Sequence, residues 1–309
     1  MRIGLLLLIG CAPIETAPLP GGSTTSDGST WITPSTSGPS VPTSSTTEVE
    51  TGDTGTLLFP DDADADGIPD DYDPFPNDDQ RPGVAVHETV YAHDATTLHF
   101  MNVLNYNLGT IGTFSYATGP GGSMTDIAID RYGVLYGCTY TDLYVCHPQT
   151  AECWHLGPLA GNYNGLTFVP PGTMDPYEDV LVAIEGSGDW FRLDGYLTQQ
   201  LTTTLVGGYG LGYFSSGDAF SIDGVGSWAA VNSDDIVTVD PISGAVGGDF
   251  ASAGSNTWGL AGWLDVIFAF DAGGQVFAID PGTGVSQEVQ NAPNAWWGAG
   301  VRTWIPANP

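Results

Sequence analysis

The sequence predicts an all-β fold whose sheets repeat around a ring, and three observations carry that prediction. From Val84 to Ile305, short runs of Val, Ile, Leu, Tyr, Phe and Trp are separated by Gly, Asp-Pro and Ser-Gly turns, with no helical period. One phrase recurs there, an alternating strand followed by a tight turn: LYVCHPQTAEC from Leu143, FRLDGYLTQ from Phe191, IVTVDPISG from Ile236 and VFAIDPGTG from Val276. A second phrase falls between those copies: MTDIAI from Met124, YNGLTF from Tyr163, GYGLGYF from Gly208, TWGLAG from Thr257 and WWGAGV from Trp296. Aligning it superposes Asp126, Gly165, Gly210, Gly259 and Gly298 at spacings of 39, 45, 49 and 39 residues, the period of a propeller blade. The reading is a five-bladed β-propeller, with a β-sandwich pair as the alternative architecture.

The segments are taken in chain order. Residues 1–10 begin MRIGLLLLIG, a basic Arg2 and an apolar run too short to span a bilayer as a mature helix, and Cys11 follows. The ending Leu8-Ile9-Gly10-Cys11 resembles the lipobox of bacterial lipoprotein signal peptides. That resemblance implies cleavage before Cys11, a lipid on it, and membrane attachment through the lipid alone. Ala12 lacks the acidic residue associated with inner-membrane retention, so the expected location is the outer membrane or cell surface. Residues 11–56 are dominated by Ser, Thr, Pro and Gly and cannot bury enough apolar area to offset the entropy of ordering. They read as a disordered stalk.

Residues 57–82 hold the densest charge. Asp62, Asp64 and Asp66 alternate, Gly67 permits a sharp turn, and Asp70 and Asp73 complete the pattern DxDxDGxxDxxD. Hard oxygen ligands in that number select calcium over zinc or copper. The opening matches an EF-hand loop, but Asp73 stands where that loop has Glu, and Pro60, Pro69, Pro74 and Pro76 forbid flanking helices. The segment looks like a thrombospondin type 3 calcium repeat, standing nearly alone where such repeats come in series. The resemblance implies Ca2+ ligands at Asp62, Asp64, Asp66, Asp70 and Asp73, with Asp71, Asp78 and Asp79 available to a second ion.

Residues 83–309 form the propeller domain. Its innermost strands crowd at a central channel, which gives the recurring Gly a steric reason, and the position after it (Ile127, Leu166, Leu211, Leu260, Ala299) is expected to pack between sheets. The first strands, from Val90, have no inner phrase before them, and the last inner phrase has no strands after it. The C-terminal strand is therefore expected to complete the first sheet and close the ring, removing exposed edges. The phrases resemble the repeat style of several bacterial propellers, including quinoprotein-like ones, which implies no particular reaction. Cys146 and Cys153 flank a hairpin turn at a spacing that fits a disulfide, with Cys138 as a competing partner.

One position before the aligned Gly stand Thr125, Asn164, Tyr209, Trp258 and Trp297. Tyr209, Trp258 and Trp297 are candidates for a ligand platform at the channel mouth, suited to sugar rings or peptides, and equally suited to filling the hub. Glycoside hydrolysis needs paired carboxylates. Only Asp126 is acidic in the aligned phrases, with Glu185 the nearest outside candidate. The histidines form no metal-binding grouping, and no GxSxG, P-loop or dinucleotide fingerprint is present. A formal charge of -31, from 36 acidic residues against five basic ones, excludes nucleic acid. The expectation is a non-enzymatic, lipid-anchored envelope protein that binds calcium and presents a propeller to a polysaccharide or to an envelope or extracellular protein. A propeller-type glycoside hydrolase, or another polysaccharide-acting enzyme, is the alternative.

Overall fold

A computed structural model describes residues 61–198 and 200–303. The signal-peptide reading of 1–10, the lipid site at Cys11, the stalk at 11–56 and the first residues of the acidic segment lie outside the described residues. Among the described residues, twenty-one strands follow the acidic segment, with a single 3-10 turn at Tyr196–Thr198.

The chain first lays down β1 (Thr89–His93), β2 (Thr97–Asn102) and β3 (Leu108–Thr113), then the short β4 (Ser115–Tyr116). The next blade holds β5 (Asp126–Ile129), β6 (Leu135–Cys138), β7 (Asp142–Cys146) and β8 (Glu152–Pro158), with β4 added parallel to the outer edge of β8. The third holds β9 (Tyr163–Val169), β10 (Val180–Glu185), β11 (Asp189–Asp194) and β12 (Thr202–Gly208). The fourth holds β13 (Ser215–Ile222), β14 (Gly226–Val231), β15 (Asp235–Val239) and β16 (Val246–Ser252). The fifth holds β17 (Thr257–Trp263), β18 (Val266–Asp271), β19 (Gln275–Ile279) and β20 (Ser286–Asn291). Finally β21 (Gly298–Gly300) pairs antiparallel with β1, Ala92 opposite Ala299, and completes the first sheet. The architecture is the expected five-bladed propeller with C-terminal closure.

Local chemistry explains the hairpins that join third to fourth strands. In DPISG and DPGTG, the carboxylates of Asp240 and Asp280 accept N–H bonds from Ile242 and Gly282 two residues on, and Gly244 and Gly284 supply φ values of 71° and 70°. The apolar face of each blade then meets its neighbour. Among the described residues, five buried clusters occupy the five junctions between blades. On β1 the strand period sends Val90 and Ala92 toward blade five and Tyr91 toward blade two. Cys146 and Cys153 are cross-strand partners on β7 and β8 and form a disulfide, while Cys138 on β6 is a buried free thiol.

The fourth inner strand departs from the sequence alignment. Gly210 lies between β12 and β13, and Leu211 is fully exposed instead of packed between sheets. Gly210 and Gly212 have φ of 93° and 92°, so GYGLG is a turn that imitates the inner phrase. The inner strand is β13, and Asp218 occupies the aligned position with Ala219 packed behind it.

Candidate metal centre and the hub

The acidic segment forms a collar on the face where the inner strands end. Ile68 is fully buried in the cluster between blades two and three, with Tyr72 and Phe75 packed against it. The Tyr72 and Tyr132 rings lie 4.6 Å apart at a 37° tilt, and Arg81 lies 5.7 Å from the Phe75 ring and 5.6 Å from that of Trp154. Burying Ile68 alone stabilises this seat by about 2 kcal/mol.

Above that seat the chain curls so that its own amides point at its carboxylates. Asp62 accepts from the N–H groups of Ala65 and Gly67 at 2.7 and 3.0 Å, Asp64 from Asp66 at 3.3 Å, Asp66 from Ile68 at 2.8 Å, and Asp70 from Ala63 at 2.8 Å. Ala65 and Gly67 take φ of 63° and 96° to make the curl, Gly67 as its position suggests. One carboxylate oxygen from each of Asp62, Asp64 and Asp66 falls within 4.8 Å of the others. Asp73, 5% exposed, lies alongside and gives one oxygen to the N–H of Phe75 at 2.7 Å.

The outstanding feature is what lacks a donor. Asp64 Oδ2, Asp66 Oδ2 and Asp73 Oδ2 are buried without a hydrogen-bond partner. Burial first, then the charges of neighbouring aspartates, raises Asp66 to about 6 and Asp73 to about 7. Such oxygens need a proton or a cation. An oxygen-only set at this spacing fits a hard divalent ion. Asp78 is engaged separately with Arg81 at 3.1 Å.

At the hub, Asp126 and Asp218 share one level with Gly165, Gly259 and Gly298. Asp126, fully buried, accepts from Ile127 N–H at 2.8 Å and Leu166 N–H at 2.7 Å; Asp218, 1% exposed, accepts from Leu260 N–H at 2.7 Å and Ala299 N–H at 2.9 Å. Asp126 thus caps amides of its own strand and of blade three, and Asp218 caps amides of blades five and one. His93 Nε2 stands 3.8 Å from Asp126 Oδ1. Burial raises Asp126 to about 6, and burial together with the Asp126 charge raises Asp218 well above the usual carboxylate range. A Cβ at Gly165 would meet the Gly217 carbonyl, and one at Gly298 would meet Asp126 and His93. The hub is sealed at this level.

Asp218 and His93 escaped the sequence reading. The first sits in SSGD, which reads as a turn; the second becomes a neighbour of Asp126 only when β21 closes the ring. At the other end of the hub from the collar, Trp258 and Trp297 are half-buried with rings 5.8 Å apart, and Trp258 Nε1 donates to Asn256 at 2.7 Å. Tyr209 is not with them: it is 3% exposed and packs on Trp190 between blades three and four. Its place in the ring is taken by Gly217, beside the carbonyls of Trp258 and Trp297.

No family model matches the chain, and no curated protein is similar to it. Among solved structures it is similar to the computationally designed Ika8 protein at 14% identity and TM-score 0.34, covering 69% of this chain and 62% of that one. It is also similar to a chain of a nidogen/laminin complex, at 14% identity, TM-score 0.43 and coverages of 70% and 81%. A third likeness is to the WD40 β-propeller domain of Doa1, at 12% identity, TM-score 0.41 and coverages of 68% and 81%. At these values the likenesses carry nothing about activity, and the fold stands on its own strand order. Fold and site together define a five-bladed β-propeller with an Asp cluster able to hold a metal.

Proposed function

We propose that the chain is a lipid-anchored protein of the bacterial cell envelope that carries calcium in its collar and presents the propeller as a non-enzymatic binding module. The observation that supports calcium is the set of buried oxygens on Asp64, Asp66 and Asp73 without donors, in a loop that offers only oxygen ligands. Asp62 and Asp70 complete the proposed ligand set. The anchor reading draws on MRIGLLLLIGC and Cys11, and the Cys146–Cys153 disulfide is compatible with an exported protein.

The partner is proposed to be a polysaccharide or an envelope or extracellular protein, met by Trp258 and Trp297. A hydrolase reading draws no support from the hub, since Asp126 and Asp218 are sealed from solvent and spent on backbone amides.

Calorimetric titration of calcium into the protein tests the reading. Saturable binding is expected with Kd of about 0.1–1 mM, the range of extracellular modules. A hundredfold excess over Kd should raise Tm by about 5–10 °C. An Asp64→Asn, Asp66→Asn variant should lose both effects. Absence of saturation at millimolar calcium, with a Tm indifferent to chelator, would remove the site.

A further inference from the structure

The face opposite the collar carries apolar side chains that the described residues leave uncovered. Trp258 and Trp297 are half-buried there, their rings 5.8 Å apart at a 43° tilt. From this pair a continuous ridge runs outward over blade four. The Thr257 N–H donates to the Ser233 carbonyl, which ties the start of β17 to the turn between β14 and β15. Asn232 in that turn holds Phe214 from both sides, its Oδ1 accepting the Phe214 N–H at 3.1 Å and its own N–H donating to the Phe214 carbonyl at 3.1 Å. Asn232 Nδ2 also donates to the Gly212 carbonyl at 3.4 Å. Phe214 is nonetheless 62% exposed, and Leu211 fully so. A backbone fixed by hydrogen bonds thus presents bulky apolar side chains to water, the signature of a contact surface.

The charge along this ridge has one sign. The chain has no lysine, and the four arginines among the described residues all lie at the collar end: Arg81 against Phe75, Arg131 and Arg192 in one cleft with Asp71 and Tyr72, and Arg302 on the Ala85 carbonyl. Asp234 and Asp235 stand in and beside the turn that holds Phe214, and Asp249 lies close by, its Oδ1 accepting from the Tyr213 hydroxyl at 3.4 Å. None of the three makes an ion pair among the described residues. Burial, then the charges of Asp234 and Asp249, raises Asp235 above its ordinary value, and the Asp249 charge raises Tyr213. Both shifts register negative potential without a counter-charge.

Together the two properties select the partner. A neutral polysaccharide can stack on tryptophan but gains nothing from the carboxylates, and an acidic one is repelled by them. A second copy of this chain would set like charges face to face. A cationic protein segment uses both properties, its Lys or Arg heads meeting carboxylates and indole faces while its apolar side chains cover exposed ones. We infer that this ridge docks a cationic segment of another protein, with Trp258, Trp297, Phe214 and Leu211 as the apolar contacts and Asp234 and Asp235 as the counter-charge. The inference rests on the reading of the propeller as a binding module and names its partner by charge.

The probe is a peptide of repeated Lys-Phe-Gly units, blocked at both ends and titrated calorimetrically into the full chain at physiological salt and saturating calcium. Two comparison peptides carry Ala in place of Phe, or Glu in place of Lys. The Lys-Phe peptide should saturate, with the Lys-Ala peptide weaker by about tenfold and the Glu-Phe peptide silent. A Leu211→Ala, Phe214→Ala variant alters exposed side chains and should bind about tenfold more weakly at unchanged Tm. Asp234→Asn with Asp235→Asn should weaken binding several-fold and lessen its dependence on salt. Asp175→Asn with Glu178→Gln removes as many charges at the collar end and should change nothing. Absence of saturation, equal binding of the Lys-Phe and Lys-Ala peptides, or equal losses in the two charge variants overturns the inference. A glycan array with the same protein separates it from the broader reading: glycans captured while the peptide is ignored remove the cationic partner and leave the binding module, whereas capture of neither removes both.

Discussion

Asp218 and Asp126 are the residues on which the five inner strands agree, each holding backbone N–H groups that no further strand can pair. They carry this role at an electrostatic cost, because both are buried and each charge opposes the other. Asp126 ionises at about 6 in the folded protein against 3.8 for an ordinary aspartate, and Asp218 shifts the same way. The unfolded chain therefore loses these protons first, so stability falls as pH rises from about 4 through about 6. With calcium removed by chelator, so that pH-dependent calcium binding does not oppose the trend, Tm measured across that window should decline for the native chain. Asp218→Asn removes the charge facing Asp126 and should flatten the decline; parallel slopes in the two proteins would refute the assignment. Glycine at Gly165, Gly259 and Gly298 was legible because crowding at a hub admits little else. Asp218 was not, since a residue whose partners are amides of two other blades has no local signature.

At the scale of elements, the collar is a loop without strand or helix that is nevertheless fastened by apolar side chains. Its alternating aspartates and Gly67 were legible because the ligand spacing and the turn are both local. The seat was not, because Ile68 meets side chains of blades two and three that are remote in sequence. Ile68→Ala should cost about 2–4 kcal/mol, the usual range for emptying a packed site. Since the curl of 62–67 is held in place from below, the same change should weaken calcium several-fold. Calcium titration of the variant checks this, and unchanged affinity would show that the loop organises its ligands without the propeller. The turn at Gly208–Gly212 shows the converse risk: a local phrase matched the inner-strand pattern, and only the pairing of β13 with β14 places the strand correctly.

Across the whole molecule, the two candidate sites lie at opposite ends of the hub, the collar where the inner strands finish and the Trp258–Trp297 pair where they begin. The Trp258–Trp297 end is the one left clear of the collar. If that face takes polysaccharide, glycans captured by the intact protein on an array should be lost from a Trp258→Ala, Trp297→Ala variant. An intact protein that captures nothing, or a variant that captures the same set, removes polysaccharide as the partner. The five-fold repeat was legible because each blade repeats its own turns, while the relation between the two faces depends on strand direction around the ring.

The sheet that opens the chain borrows its innermost strand from the far end, Ala92 pairing with Ala299. During synthesis the earliest blade must therefore wait, one ladder short, until some two hundred further residues have been made. A polypeptide halted before residue 298 would display β1 with an open row of hydrogen-bonding groups, an invitation to foreign strands that the finished molecule withdraws. Circular completion thus marks the whole chain from a fragment: whether the last piece has arrived is written in whether the first is covered.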